Sequence, residues 1–196
     1  IALDNIQLST IERERRTIVN ALTEMGQIVS SSTDYDDALD HMLAQLQRIA
    51  QYDSANILLA PHLDDFGPHR LILYSFNSPE LFLKGTEILV PDAHPISMAI
   101  AARQPIAIDD VHGHTGWDAS LPLPDARQTR ALLIMPMIVH NRVAGVITLV
   151  RFSPIPFTEA QASGALALAR QSAMALETAR LRAQYQASYQ LQESRA

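Results

Sequence analysis

Three histidines and the only tryptophan are the residues of this chain best suited to chemistry or to ligand binding. His112 and His114 are separated by one residue, His94 lies upstream of them, and Trp117 follows in the same polar segment. Neutral imidazole binds metal ions and haem, but no carboxylate or cysteine set of recognisable spacing accompanies these histidines. We therefore favour solvated loop histidines over a metal centre. Trp117 would either stack on an apolar ligand or anchor its loop to the core, and the sequence leaves both readings open.

The sequence lacks the other common arrangements for catalysis. It contains no cysteine, which excludes disulfides, thiolate metal sites and cysteine nucleophiles. Ser54, Ser97 and Ser120 each lack the Gly-x-Ser-x-Gly setting, and the scattered glycines form no phosphate loop. The carboxylate pairs at 64–65 and 109–110 lie in turns, where Asp commonly bonds its own backbone. We expect no catalytic residue and no enzyme activity in this segment.

Composition narrows the class of protein and its partners. The chain has 196 residues, of which 47% are apolar and 18% charged, enough for one medium domain with helical extensions. Its net charge of −6 and the absence of a Lys or Arg block argue against nucleic acid and against membrane contact by this segment. The lack of cysteine fits a reducing, cytoplasmic location. The chain begins at Ile1 without a methionine, so we read it as a piece of a larger protein.

The first thirty residues carry a heptad pattern. Apolar residues recur at steps of three and four, which keeps one seam of a helix facing a partner helix. The seam positions are Leu8, Ile11, Arg15, Ile18, Leu22, Met25 and Val29. We predict a coiled-coil helix over residues 1–30; the alternative is one amphipathic helix that packs on its own domain.

The remainder predicts an α+β fold. An apolar stripe of helical period runs from Ala38 to Ala50, and a helix with a Thr158/Gln161 capping box closes the domain. Strands are predicted at Ala55–Ala60, Leu71–Phe76, Glu87–Val90, Ile106–Ile108, Ala131–Val139 and Val143–Val150, with a short helix at Ser97–Ala102. The segment 109–129 is a long loop of the kind that often covers a binding site. In the last helix Leu166, Ala169, Ala173 and Leu176 again step by three and four, so we add them to the predicted dimer interface.

From about Met25 to Leu181 the chain resembles a GAF domain, a sensory module of signalling proteins. The resemblance rests on the amphipathic helix before Ala55–Ala60, on 96–111 with its proline turn, on the hairpin 131–150 with Pro136 and Gly145, and on Phe157-Thr158-Glu159 opening the last helix. It implies a central antiparallel sheet with helices on one face and a pocket under the long loop on the other. We take Phe76, His94, His112, His114 and Trp117 as candidate ligand-binding residues. Independently, Pro136 inside a strand conflicts with a central ladder and should lie at a bulge or face an edge.

Known chemistries of this family can be compared with the sequence. Bilin attachment and reduction of free methionine sulfoxide both need cysteine in the family. This sequence contains no cysteine, which excludes both routes. Cyclic-nucleotide binding is doubtful because only Phe157 matches that signature and Arg151-Phe152-Ser153 replaces the Asn-Lys pair. The cofactor is therefore unknown.

We expect three parts: a signalling helix at 1–30, a GAF-like domain at 31–181 and a helical linker at 182–196. The expected function is non-catalytic regulation within a larger signal-transduction protein, such as a histidine kinase of a two-component system. The domain would form a homodimer through its terminal helices, would be linked to domains upstream and downstream, and would take a small-molecule ligand. The alternatives are a ligand-free structural spacer and, less favoured, a metal-dependent enzyme that uses the His-rich loop.

Overall fold

A computed structural model describes residues 35–60, 69–82 and 84–174, which form six strands and three helices. The strands are β1 (Ser54–Leu59), β2 (His69–Asn77), β3 (Glu87–Val90), β4 (Ile106–Ile108), β5 (Ala131–Val139) and β6 (Arg142–Arg151). The helices are α1 (Tyr35–Ile49), α2 (Pro95–Ala102) and α3 (residues 159–174). Within these ranges no helix combines the length and the apolar character needed to cross a membrane.

The strands form one antiparallel sheet in the order β3-β2-β1-β6-β5-β4. The predicted strands are all present, and the bounds of β3, β4 and β5 agree with the prediction. The two central strands, β1 and β6, are those that follow α1 and precede α3. Ser54 at the start of β1 pairs with Val150 near the end of β6, so both helices leave the sheet at the same end.

Side chains alternate along each strand, so the sheet has two apolar surfaces, and each is covered differently. On the helix side, α1 and α3 pack on the sheet through Leu39, Met42, Leu46, Ile57, Leu133, Met135, Ile147, Leu149, Leu168 and Ala169, among others. On the loop side, α2 and residues 109–130 cover Leu71, Leu73, Ile88, Leu132, Ile134 and Val146. The predicted arrangement is confirmed, with α1 and α3 on one face and the long loop on the other, where the short helix α2 lies beside the loop.

The geometry of the β5–β6 hairpin explains why Pro136 and Gly145 occur within its strands. Pro136 lies beyond the β4 pairing, which ends at Ile134, and next to a register shift after Met137. The missing amide of Pro136 therefore costs no bond to β4. Gly145 is required by close approach, because a Cβ there would lie 2.4 Å from the carbonyl oxygen of Leu58. The turn at His140 and Asn141 has positive φ at both residues, as a type I′ hairpin turn requires.

The predicted dimer positions fall into two groups. Leu8, Ile11, Ile18, Leu22, Met25, Val29 and Leu176 lie outside the described residues. Ala169 and Ala173 are buried on the helix side of their own chain, and Leu166 is half-buried at the margin of that core. The small side chains that we assigned to a second copy thus allow α3 to approach its own sheet closely.

Candidate functional site

The long loop on the loop side, residues 109–130, is here called the flap. An ion pair between Asp110 and Arg130 joins its two ends, which we call its neck. Arg130 donates from Nε to Asp110 Oδ1 at 3.1 Å and from Nη2 to Asp110 Oδ2 at 2.7 Å. The amide of Val111 donates to the carbonyl of Arg130 at 2.7 Å. The bond from Arg130 is the main reason that the pKa of Asp110 is lowered to about 2. Asp110 also accepts from the amide of His112, as expected for Asp in a turn.

A second attachment joins the flap to the segment after β2. The buried Asp125 accepts a hydrogen bond from the hydroxyl of Ser78, and its amide donates to Glu80 Oε2 at 3.1 Å. Asp125 has a φ of 57° and its carbonyl accepts from the Thr129 amide and hydroxyl, which turns the chain back toward β5. The Oδ1 atom of Asp125 is buried and has no partner among the described residues.

The third attachment brings the middle of the flap against the start of α2. Gly116 lies so close to Ala93 that an added Cβ would be 2.0 Å from the carbonyl oxygen of Ala93. Gly116 also has a φ of 87°, so two independent constraints require glycine here. Beside it, the rings of His94 and Trp117 lie 5.2 Å apart between centroids and are tilted by 35°. His94 and Trp117 are therefore in contact, as a shared binding site would require.

His94 is the N-cap of α2 and is 1% exposed. Its Nδ1 atom accepts from the amide of Ile96 at 3.2 Å, and Pro95 follows at the first helical position. Burial lowers the pKa of His94 to about 4, with Asp118 opposing and His114 reinforcing the shift. His94 is thus neutral at pH 7. Because Nδ1 accepts, the ring proton must be on Nε2, and Nε2 is buried without a partner.

The other predicted site residues differ in how far they are buried. Phe76 of β2 is half-buried against the loop-side core. His114 is half-buried with its Nδ1 atom unpartnered, but His112 is exposed on the outside of the flap. Among residues 35–60, 69–82 and 84–174, no three His, Asp or Glu side chains are grouped as metal ligands. Trp117 lies half-buried against the loop-side core. This position fits both alternatives, stacking on a ligand and anchoring the flap to the core.

Sequence reasoning missed Arg151, which joins the flap to α3. The carbonyl of Arg151 accepts from the amide of Arg130 at 2.8 Å, at the neck of the flap. Its guanidinium donates from Nη2 to Gln161 Oε1 at 3.2 Å and lies 4.1 Å from the ring centre of Phe157. Gln161 in turn forms the predicted capping box with Thr158, with bonds of 3.0 and 3.2 Å.

Arg151 also holds the two connections that flank the central strands. Its Nε atom donates to the carbonyl of Gln51, between α1 and β1, at 2.9 Å. Its Nη1 atom donates to the carbonyls of Ile155 and Pro156, at 3.0 and 2.7 Å. This one side chain at the end of β6 therefore contacts the α1–β1 connection, the β6–α3 connection and the first turn of α3. Nothing in the sequence pattern distinguishes this arginine, because its acceptors are mostly backbone carbonyls.

Comparison with known proteins gives one family. The sequence profile described as GAF domain matches residues 34–176. No curated protein sequence gives a significant match.

Many solved structures share the fold. The GAF domain of a phosphoenolpyruvate-protein phosphotransferase from Coxiella burnetii superposes with a TM-score of 0.71 at 16% identity, covering 86% of this chain and 97% of that one. Free methionine-R-sulfoxide reductase from Neisseria meningitidis, in complex with its substrate, gives 0.66 at 20% identity, covering 84% and 91%. The GAF domain of a two-component sensor histidine kinase from Bacillus halodurans gives 0.59 at 17%, covering 78% and 99%. At these identities the likeness concerns the fold.

Proposed function

This chain belongs to the GAF domain family, and from that membership we propose that it is a regulatory sensory module of a larger signalling protein. The loop side of its sheet takes up a small molecule, and the helices on the other side carry the response to neighbouring domains. A histidine kinase is the parent that we favour, in line with the Bacillus halodurans protein.

The observation that carries this proposal is the junction at Arg151. A ligand under the flap must displace or stabilise the flap, and the flap ends at Arg130, whose amide bonds to Arg151. The same residue holds the first turn of α3 through Gln161. Two packed elements that share one hydrogen-bonded residue can shift together, and such a contiguous network can carry coupling between two sites. The flap and α3 lie on opposite sides of the sheet, so this junction at the end of β6 is a direct connection between them.

We propose regulation rather than catalysis. The Neisseria enzyme shares the fold and acts on methionine sulfoxide, but this chain has no cysteine with which to perform thiol chemistry. The flap carboxylates of Asp110 and Asp118 are engaged by Arg130 and Ser120 respectively, and these bonds lower the pKa of both. A carboxylate with a lowered pKa is a poor general base near pH 7.

The output in this proposal is a homodimer formed by the terminal helices. Because Ala169 and Ala173 are buried within one chain, the pairing surface must come from the heptad positions of residues 1–30 and from the outward side of α3. Light scattering of the full chain should show a dimer that dissociates on Leu22→Asp. Ala173→Asp should instead unfold the domain, because it buries a charge in the helix-side core. A monomeric wild type would refute the dimer.

Hydrogen exchange tests transmission without any ligand. Asp110→Asn removes the charge at the neck of the flap and should accelerate exchange both in the flap and at residues 159–162 of α3. In an Arg151→Lys background, which keeps the charge but loses the branched contacts, the flap should still respond while α3 should not. Arg70→Gln is the matched control, because it removes an exposed ion pair with Glu87 at the opposite edge of the sheet. Sensory transmission is refuted if Asp110→Asn leaves α3 unchanged when Arg151 is intact.

A ligand-free spacer is the second candidate. It is favoured by the loop-side core, in which Ile96 of α2 and Leu121 and Leu123 of the flap are themselves buried against the sheet. A native mass spectrum of the chain, purified without added compounds, separates the two readings. A bound small molecule supports the sensor, and a protein free of ligand supports the spacer.

A further inference from the structure

The loop side contains a hydrogen-bond donor that folding leaves unused. His94 is 1% exposed, its Nδ1 atom is held by the amide of Ile96, and its Nε2 atom has no partner. The N-cap bond fixes the tautomer, so the unused group is the N–H at Nε2, on the other side of the ring from that bond. A buried donor without an acceptor is costly, and sites that recognise a polar ligand group have this property when they are empty.

The surroundings of His94 restrict what could accept this bond. The Trp117 ring offers a flat apolar surface 5.2 Å away, centroid to centroid, and the half-buried Phe76 belongs to the same core. Asp118 lies near enough to interact with the charge state of His94, so a negative charge already stands on this side of the flap. Among the described residues, no Lys or Arg contacts His94, Trp117 or Asp118. A second negative charge at this place would therefore have no compensating cation.

We infer that the ligand of this site is an uncharged, planar molecule that lies against Trp117 and accepts a hydrogen bond from Nε2 of His94 through a carbonyl oxygen or ring nitrogen. This deepens, and rests on, the proposed sensory function. An anion would meet Asp118 and a neutral imidazole, which supplies no compensating charge. A purely apolar molecule would leave the donor unpaired. His114, whose Nδ1 atom is also unpartnered, lies in the same turn of the flap and offers a second polar contact.

Binding must also move the flap. The Nε2 atom is buried, and Gly116 lies directly against the carbonyl of Ala93, so the closed flap leaves no path to it. Lifting the turn at Gly116 separates Trp117 from His94 and opens the donor. The kind of ligand and the signal are thus connected, because Nε2 of His94 becomes accessible to a ligand only when the flap is displaced.

Three matched probes test the inference: benzamide, which is planar and neutral with an acceptor; toluene, which lacks the acceptor; and benzoate, which is charged. Binding to the full chain is followed by the fluorescence of Trp117, the only tryptophan, and by the NMR signals of the His94 ring. We expect benzamide to bind about tenfold more tightly than toluene, the effect of one hydrogen bond to a buried donor. It should also bind more tightly than benzoate, whose charge would lie near Asp118 without a compensating cation. Equal binding of all three, or preference for benzoate, overturns the ligand class while leaving the sensory function standing.

Two variants at one position separate recognition from folding. His94→Asn keeps an acceptor at the δ position for the N-cap but has no donor at the ε position, so the advantage of benzamide over toluene should disappear. His94→Gln places an amide N–H at the ε position and should keep most of that advantage, although it loses the cap. If none of the probes perturbs Trp117 or His94 in wild-type protein, the inference fails. The exchange experiment on Asp110 and Arg151 then decides the sensory function separately.

Discussion

The two sides of the sheet each carry an apolar core, but they differ in how many buried polar atoms lack a hydrogen-bond partner. On the helix side, one buried polar atom among the described residues lacks a partner, the hydroxyl of Ser172. On the loop side the described residues contain five such atoms, in Ser54, Asn56, His94, His114 and Asp125. Native cores rarely leave polar groups unpaired, because each one reduces stability. The helix side is therefore organised for packing, whereas the loop side keeps polar groups available at a cost in stability.

The largest expected effect compares one leucine from each side. Leu46→Ala, at a fully buried position of α1, should lower the free energy of unfolding by roughly 2–5 kcal/mol, since the helix cannot collapse into the cavity. Leu123→Ala in the flap should cost roughly half as much, because a loop can relax around the lost volume. Urea unfolding of both variants measures the difference. Equal losses would mean that the flap is packed as rigidly as α1.

The next effect is the pH dependence that His94 imposes on the loop side. Its pKa is lowered from 6.5 to about 4 by burial, so the unfolded chain binds a proton more readily than the folded one. The stabilisation is fully present above pH 6.5 and is lost as the pH falls toward 4, by on the order of 3 kcal/mol. Urea midpoints at pH 7, 5.5 and 4 should fall steeply for wild type. His94→Asn cannot titrate and should show a shallower decline; parallel curves would refute this assignment.

The smallest expected effect concerns the neck of the flap. Asp110→Asn and Arg130→Gln remove a half-exposed ion pair, so the global unfolding midpoint should change little. Exchange of the Val111 amide, which bonds to the Arg130 carbonyl, should nevertheless become faster. Lys84→Gln, which breaks the exposed pair with Asp40, is the control. The contrast between the two sides is weakened if Lys84→Gln accelerates flap exchange as much as the neck variants do.

Most of the fold could be predicted because its signals are local. The apolar runs of β5 and β6 flank a short polar turn at His140 and Asn141, a pattern that predicts a hairpin. The stripe of α1 and the capping box at Thr158 are likewise visible within a few positions of sequence. The predicted start of α2, Ser97, is wrong, because the helix begins two residues earlier, at Pro95. The His94-Pro95 pair was the available signal, an N-cap followed by proline at the first helical position.

The site itself was only partly predictable, since its contacts join residues far apart in the chain. Residue type alone made His94 and Trp117 candidates, but their contact depends on Gly116 fitting against Ala93. The bond between Ser78 and Asp125 spans 47 positions, and that between Arg151 and Gln51 spans 100. The alanines of α3 present a different difficulty, because their pattern is local but their partner is not. Their helical spacing predicts a contact surface, but spacing alone does not say whether the partner is a second chain or the same one.

The pairing of Ser54 with Val150 has a mechanical consequence. Because the chain enters β1 and leaves β6 at the same end, a force that separates α1 from α3 acts on the nearest rung of this ladder first. The strands would then peel apart one hydrogen bond at a time, instead of sharing the load as they do when pulled lengthwise. Arg151, which bonds to Gln51 across the point of entry, is placed to resist the opening of that first rung.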